Sequence, residues 1–172
     1  MKKILVAMSL VLVQSLPVWA VQPGEPAPDF KQPSTAGHEL GLADFQGKWL
    51  VLYFYPKSFT PGCTTQTCSL RDGFKDIQAL GATILGVSMD SLETQEKFKA
   101  EHRLPFDLLS DDDGVVAKAY DVVAFGGFMA KRLTFIIDPA GKVARVIDSV
   151  KTGDHDAQVL DALRELQNPV VL

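Results

Sequence analysis

The sequence predicts an α/β fold in which helices cover a sheet with parallel neighbouring strands. Two apolar runs, at 49–55 and 83–89, are each followed by a segment with helical periodicity. The resulting order of strand, helix, strand, helix is typical of layered α/β domains. No internal repeat or low-complexity segment interrupts this order, so we expect a single domain over residues 21–172.

The N-terminal part of this domain is predicted to contain the first strand and the first helix. Residues 21–47 are rich in proline and glycine, which indicates an irregular lead-in with a short hairpin around Gly37. The run Trp49–Tyr55 predicts a strand buried on both faces, and Pro61 suits the first turn of a helix that ends near Gly81. The apolar stripe of this helix repeats at helical spacing: Leu70, Phe74 and Ile77.

The middle of the chain repeats the alternation. Thr83–Met89 predicts a strand, Leu92–His102 a helix with a serine N-cap, and Phe106–Leu109 a short strand. The acidic residues 111–113 then lead into a helix that runs to Tyr120. A calcium loop would need alternating acidic positions and a distal glutamate, so capping of the helix start is the favoured interpretation.

The C-terminal part predicts a β-hairpin and a last helix. Leu133–Ile137 and Lys142–Ile147 have the composition of strands, and Asp138–Gly141 between them has the composition of a tight turn. Residues 156–167 are expected to form an amphipathic helix. Four apolar residues occupy its inner face: Val159, Leu160, Leu163 and Leu166.

Residues 1–20 have the features of a secretory signal peptide. Two lysines precede an apolar stretch from Ile4 to Val13, and small residues flank Trp19 before the expected cleavage after Ala20. The stretch is about half as long as a membrane span, which disfavours the alternative of a retained anchor. We therefore expect export, to a bacterial periplasm, with no stable membrane insertion after the leader has been removed.

The charge and the cysteine content reduce the number of function classes that fit the chain. The formal net charge is −4, and no run of lysine or arginine exceeds two residues, which argues against nucleic-acid binding. The chain has two cysteines, Cys63 and Cys68. Export to an oxidising compartment would permit a disulfide between them, so the helix geometry has to test that pairing.

Cys63 lies at the predicted start of the first helix. With Thr60 as N-cap and Pro61 as the first helical residue, Cys63 falls in the first turn, where unpaired N–H groups and the helix dipole favour an anion. This position favours the thiolate, which is the reactive form of cysteine. Leu70 is nearly in phase with Cys63 around the helix axis, so the sulfur is expected to point into a pocket against the domain.

Cys68 lies about 140° around the helix axis from Cys63 and about 7.5 Å along it. In an intact helix the two Cα atoms would be about 8.6 Å apart, beyond the roughly 7 Å limit for a disulfide. A permanent disulfide would therefore have to break the predicted helix. The favoured interpretation is a reactive Cys63 whose oxidised form Cys68 captures after local unwinding.

Other interpretations of the two cysteines stay open. A structural disulfide is one of them, although so short a loop would add little stability. The spacing does not fit a CxxC redox site, which has two intervening residues. A zinc site would need His38, His102 and His155, scattered in the sequence, to converge with the cysteines.

The residues around Cys63 resemble the active-site motif of the peroxiredoxins. The motif is Pro56-x-x-x-Thr60-x-x-Cys63, and the string FYPKSFTPGCTTQTCSLRD is similar in particular to the peroxiredoxin Q group, also called bacterioferritin comigratory protein. That group carries a second cysteine five residues after the first, as Cys68 stands here. Arg132, in the string KRLTFIID, lies at the place of the family's active-site arginine.

The resemblance implies a thioredoxin-like fold, with a central mixed β-sheet flanked by helices, and a thiol-dependent peroxidase of the atypical two-cysteine type. Cys63 would be the peroxidatic cysteine, whose sulfenic acid Cys68 resolves as an intramolecular disulfide. Thr60 would orient peroxide and thiolate, and Pro56 would stiffen the loop that shields Cys63. Arg132 and the N–H groups of the first helical turn would face the charge that develops on the peroxide. Hydrogen peroxide and organic hydroperoxides are the implied substrates, without a cofactor or metal.

The expected leader distinguishes this chain from the group it resembles, which is mostly cytosolic. An exported enzyme needs a reductant in its own compartment, so we expect an exported thioredoxin-like protein or another dithiol carrier. The expected assembly is a monomer or a weak dimer. Two other classes of function stay open: an exported disulfide oxidoreductase of thioredoxin-like fold, and a non-enzymatic copper-delivery or redox-sensing module.

Overall fold

The structure is a computed structural model, and it describes residues 21–168. The expected signal peptide, residues 1–20, lies outside the described residues. The strands are β1 Lys31–Pro33, β2 Glu39–Gly41, β3 Trp49–Phe54, β4 Ala82–Ser88, β5 Asp107–Ser110, β6 Val123–Ala124, β7 Met129–Ala130, β8 Leu133–Ile137 and β9 Val143–Ile147. The α-helices are α1 Pro61–Asp72, α2 Phe74–Ala79, α3 Leu92–His102, α4 Val115–Ala119 and α5 His155–Gln167. Within the described range, no helix is long and apolar enough to cross a membrane.

The centre of the domain is a five-stranded mixed sheet in the order β5-β4-β3-β8-β9. β3 pairs in parallel with β4, and β4 pairs in parallel with β5, as the alternation of strands and helices predicts. β8 runs antiparallel to β3, and β9 antiparallel to β8, which confirms the predicted hairpin. Two short antiparallel pairs, β1 with β2 and β6 with β7, lie outside this sheet.

Helices cover both faces of the sheet, and β3 contributes side chains to both cores. Leu50, Leu52 and Phe54 pack with α4 and the N-terminal residues on one face. Val51, Tyr53 and Tyr55 pack with α1, α2, α3 and α5 on the other. This alternation follows from the period of two along a strand. The continuous apolar run at 49–55 therefore reflects a strand buried on both sides, as predicted.

The first predicted helix is divided into α1 and α2 at Gly73. A Cβ atom on Gly73 would lie 2.5 Å from the Cβ of Asp156, so only glycine lets the start of α5 approach this closely. The prediction of one uninterrupted helix is wrong at Gly73. The apolar stripe of the predicted helix carries no information about a contact with α5, which is distant in the sequence. The short pair β6 and β7 is also absent from the sequence-based prediction.

The acidic residues before α4 cap that helix, as predicted. The Asp111 carboxylate accepts hydrogen bonds from the backbone N–H groups of Val116, at 2.9 Å, and Ala117, at 2.7 Å. Burial raises the pKa of Asp111 to about 6. Ser91 also acts as the predicted cap of α3, since its hydroxyl oxygen accepts from the Thr94 N–H at 3.4 Å.

The start of α5 is tied to β8, the strand that begins next to Arg132. The Nε2 atom of the buried His155 lies 2.9 Å from the Thr134 hydroxyl, and its Nδ1 atom lies 3.3 Å from the Gln158 side-chain oxygen. Burial lowers the pKa of His155 to about 4, and the charge of Arg132 acts in the same direction. His155 is therefore neutral at pH 7, and it links two elements that frame the site.

This burial predicts a pH-dependent contribution of His155 to stability. Its folded pKa of about 4 is below the reference value of 6.5, so the contribution is present above pH 6.5 and is lost as the pH falls towards 4. The difference in free energy of unfolding between wild type and His155→Gln should therefore shrink by about 3 kcal/mol between pH 7 and pH 4. Urea titrations at both pH values measure it. Asp111 has an opposite dependence, but both proteins share it and it cancels. A difference that does not change with pH would contradict the assignment.

Candidate active site

Cys63 is the third residue of α1, in the first helical turn, as predicted. The chain leaves β3 at Phe54, and Thr60 occupies the N-cap position with an extended backbone (φ −83°, ψ 147°). The Cys63 side chain is 1% exposed and belongs to the same apolar cluster as Tyr53 and Leu70. The prediction that its sulfur points into the domain is therefore confirmed.

Arg132, the residue before β8, contacts this sulfur. Its Nη2 atom lies 3.3 Å from Cys63 Sγ. A Cβ atom on Gly62 would lie 3.3 Å from the same Nη2 atom, so a larger residue at this position would crowd the guanidinium. The structure thus brings together two residues that are 69 positions apart in the sequence and that the motif comparison had selected independently.

Gln66 is a member of the site that sequence reasoning missed. Its side-chain oxygen accepts a short hydrogen bond from Arg132 Nη1, so one guanidinium contacts both Gln66 and Cys63. Gln66 is fully buried, and its Nε2 atom has no hydrogen-bond partner among the described residues. The sequence signal that could have identified Gln66 is its position three residues after Cys63, which places both side chains on the same face of the helix.

Thr60 occupies the N-cap position of α1, as predicted. Its hydroxyl donates to the Lys57 carbonyl oxygen at 2.8 Å, and no side-chain hydrogen bond caps α1. The Thr60 hydroxyl therefore does not cap the helix, and its role in orienting peroxide and thiolate stays a prediction. The first bond of the helix joins the Thr64 N–H to the Thr60 carbonyl at 2.9 Å. The N–H groups of Gly62 and Cys63 lie before Thr64 in the first helical turn, so they have no partner within the helix.

The loop before α1 is held by a buried polar network. The Tyr55 hydroxyl contacts the Ser58 hydroxyl at 3.2 Å and donates a short hydrogen bond to the Gln95 side chain. The Ser58 N–H donates to the Asp90 carboxylate at 2.7 Å. Pro56 lies inside this loop and is half-buried, and its shielding role stays a prediction. The network is long-range, joining the loop to the end of β4 and to α3, so no local sequence pattern indicates it.

Cys68 lies away from the Cys63 pocket and is half-buried. Its Sγ atom is 3.9 Å from Nδ1 of His102, the last residue of α3. Both cysteines are free thiols, and α1 is helical across both positions. The predicted separation of about 8.6 Å between their Cα atoms therefore applies.

The arrangement suits attack by a thiolate at a site lined by hydrogen-bond donors. A cationic guanidinium contacts the sulfur, and the sulfur belongs to the first turn of a helix, where backbone N–H groups have no partner within the helix. Among residues 21–168, no group of three or more His, Cys, Asp or Glu side chains could hold a metal ion.

The chain is similar to known proteins over most of its length. Residues 23–146 match the model of the AhpC/TSA family. Peroxiredoxin Bcp of Bacillus subtilis is 41% identical over 152 residues, which cover 85% of this chain and 97% of that protein.

Two solved structures extend the comparison to the fold. Peroxidoxin BcpB of Mycobacterium tuberculosis superposes with a TM-score of 0.79 at 33% identity, covering 86% of this chain and 99% of the other. The bacterioferritin comigratory protein of Xanthomonas campestris superposes with a TM-score of 0.76 at 34% identity, covering 81% and 92%. The thioredoxin-like fold implied by the motif is thereby confirmed, and the chain belongs to the peroxiredoxin family.

Proposed function

We propose that the protein reduces hydrogen peroxide and organic hydroperoxides, with Cys63 as the attacking thiol and Cys68 as the resolving thiol. Thiol-dependent peroxidase activity follows from membership of the peroxiredoxin family. The observation that carries the assignment of Cys63 is the 3.3 Å approach of Arg132 Nη2 to its sulfur at the start of α1.

The first step is attack of the Cys63 thiolate on one peroxide oxygen. A bond forms between sulfur and that oxygen while the O–O bond breaks, and Cys63 becomes a sulfenic acid. The other oxygen takes a proton and leaves as water or as an alcohol. Arg132, whose Nη2 atom contacts the sulfur, and the N–H groups of Gly62 and Cys63 in the first helical turn would donate hydrogen bonds to the developing negative charge. The Thr60 hydroxyl, which donates to Lys57, still has lone pairs that can accept from the peroxide O–H.

The second step joins the two cysteines. The Cys68 sulfur attacks the Cys63 sulfenic sulfur, a disulfide forms, and hydroxide leaves to become water. In the folded helix the Cα atoms are about 8.6 Å apart, so part of α1 must unwind before the bond can form. An external dithiol then reduces the disulfide and restores both thiols.

Reduction of organic hydroperoxides has support of its own. The Xanthomonas campestris relative is described as having alkyl peroxide reduction activity. In this chain, the side chain of Phe59, the residue before Thr60, is 44% exposed and gives the loop an apolar surface that suits an alkyl group.

The location and the reductant are part of the same proposal. The charge and hydropathy pattern of residues 1–20 supports export, and an exported enzyme requires an exported thioredoxin-like protein or another dithiol carrier as its reductant. We expect the enzyme to act as a monomer or a weak dimer. Expression of the full chain in a bacterium, followed by fractionation and mass measurement, should recover a periplasmic protein that lacks residues 1–20. Recovery of the intact chain in the cytosol would contradict export.

Serine variants of the two cysteines test their separate roles. Cys63→Ser should abolish peroxidase turnover, since the nucleophile is lost. Cys68→Ser should react with one equivalent of hydrogen peroxide at the wild-type rate but accumulate Cys63 sulfenic acid, because nothing resolves it. Dimedone trapping and mass spectrometry after one equivalent of peroxide measure both outcomes.

Wild type is the control for that experiment. Its mass should be lower by two hydrogens than that of the reduced protein, and it should carry no dimedone adduct. Undiminished activity in Cys63→Ser would end the assignment of the nucleophile. Failure of Cys68→Ser to form the adduct would end the resolving scheme.

A further inference from the structure

Cys68 and His102 form a side-chain pair that the first step of the reaction does not use. From this pair we propose that His102 is the general base that removes the Cys68 proton in the resolving step. The proposal rests on the proposed function, because it requires that Cys68 attack the Cys63 sulfenic acid.

The pair joins the middle of α1 to the end of α3. Nδ1 of His102 lies 3.9 Å from Cys68 Sγ, within the range of a hydrogen bond to sulfur. Both residues are half-buried. The sulfur is therefore sheltered, and solvent can still receive a proton from the imidazole.

The His102 ring is held in this position by contacts on other sides. It packs edge-on against Phe98, with ring centroids 4.8 Å apart, and lies 6.3 Å from the ring of Phe59. Arg71 Nη1 donates to the His102 carbonyl oxygen at 3.0 Å, which ties the end of α3 to α1. The imidazole is thus positioned by packing and by the backbone, and its Nδ1 atom is directed at the thiol.

The other titratable groups around Cys68 are poor proton acceptors. On α1, Arg71 is paired with Asp72 at 2.8 Å, and this pairing, with a smaller effect of Cys68, raises the pKa of Arg71. From β3, burial raises the pKa of Tyr53 well above its usual range, so its phenol stays protonated. The Asp72 side chain is 67% exposed and engaged with Arg71. Histidine is the side chain that accepts and releases protons near neutral pH.

The step balances without a further reactant. His102 Nδ1 takes the proton from Cys68, and the resulting thiolate attacks the Cys63 sulfenic sulfur. The S–S bond forms as the S–O bond breaks, so Cys68 is oxidised and the sulfenic sulfur is reduced. Hydroxide leaves and becomes water when it takes the proton that the imidazolium releases.

The increase in the rate of disulfide formation that a general base can give has an upper limit. A free thiol with a pKa of about 8.5 is roughly 3% ionised at pH 7, so complete ionisation raises the thiolate population by about 30-fold. Above about pH 9.5 a free thiol ionises without assistance, and the advantage disappears. Loss of the base should therefore slow disulfide formation by about 10- to 30-fold at pH 7 and by little at high pH.

The test is a single-turnover experiment on the reduced protein with one equivalent of hydrogen peroxide. Acid quench, alkylation and mass spectrometry follow sulfenic acid formation and disulfide formation separately. His102→Phe keeps a ring against Phe98 and Phe59 but has no nitrogen. It should form the sulfenic acid at the wild-type rate and the disulfide 10- to 30-fold more slowly at pH 7. The matched control is His38→Phe, the same change at an exposed histidine, which should leave both rates unchanged.

A second variant separates proton transfer from a structural role. His102→Gln retains hydrogen-bonding groups but cannot take the proton, so it should be as slow as His102→Phe. Wild-type disulfide rates in His102→Phe, or recovery of the rate in His102→Gln, would overturn the proposal and leave the proposed function intact. A wild-type protein that forms no disulfide at all would instead overturn the proposed function.

Discussion

The antiparallel pairing of β3 with β8 is the constraint on which the active site depends. Its register places Leu133 opposite Phe54, so Arg132 lies beside the end of β3, where the chain turns towards α1. The loop returns Cys63 to that same end of the sheet, and the guanidinium reaches both its sulfur and Gln66. A slip of one residue in this register would point the side chains of β8 to the opposite faces and separate the two groups.

Much of the fold could be predicted because the responsible signals are local. The apolar run of β3, the helical stripe that contains Leu70 and the turn of the last hairpin each determine one element. Resemblance to a known motif selects Cys63, Thr60, Pro56 and Arg132. The position of Cys63 in the first helical turn follows from Thr60 as N-cap and Pro61 as the first helical residue.

The remaining features depend on contacts between distant segments. The break at Gly73 reflects the approach of Asp156 to within a distance that only glycine permits. The Thr60 hydroxyl bonds to the Lys57 carbonyl because the loop folds back, a contact that the N-cap position of Thr60 does not indicate. Gln66 was missed because a glutamine on a helix is most often exposed, and only the proximity of Arg132 gives it a role.

α1 has two requirements that oppose each other, namely to hold Cys63 in a donor-lined pocket and to release it towards Cys68. Bonds from other elements hold the second half of the helix: Thr67 contacts the Tyr53 hydroxyl at 3.2 Å, and Ser69 donates to Asp156 at 2.7 Å. The first turn has no side-chain cap and is held by Arg132. Oxidation of Cys63 changes the group that Arg132 contacts, so we expect the first turn to unwind while Cys68 stays near His102.

We propose that the guanidinium of Arg132 makes Cys63 reactive towards peroxide. The most direct test is the second-order rate constant for oxidation of reduced Cys63 by hydrogen peroxide in Arg132→Gln, measured by stopped flow, with Arg132→Lys as the charge-retaining control. Loss of this donor should lower the rate constant by about 100- to 1,000-fold, with a smaller loss in Arg132→Lys. An Arg132→Gln protein that reacts within about twofold of wild type, against that 100-fold expectation, would contradict this role of Arg132.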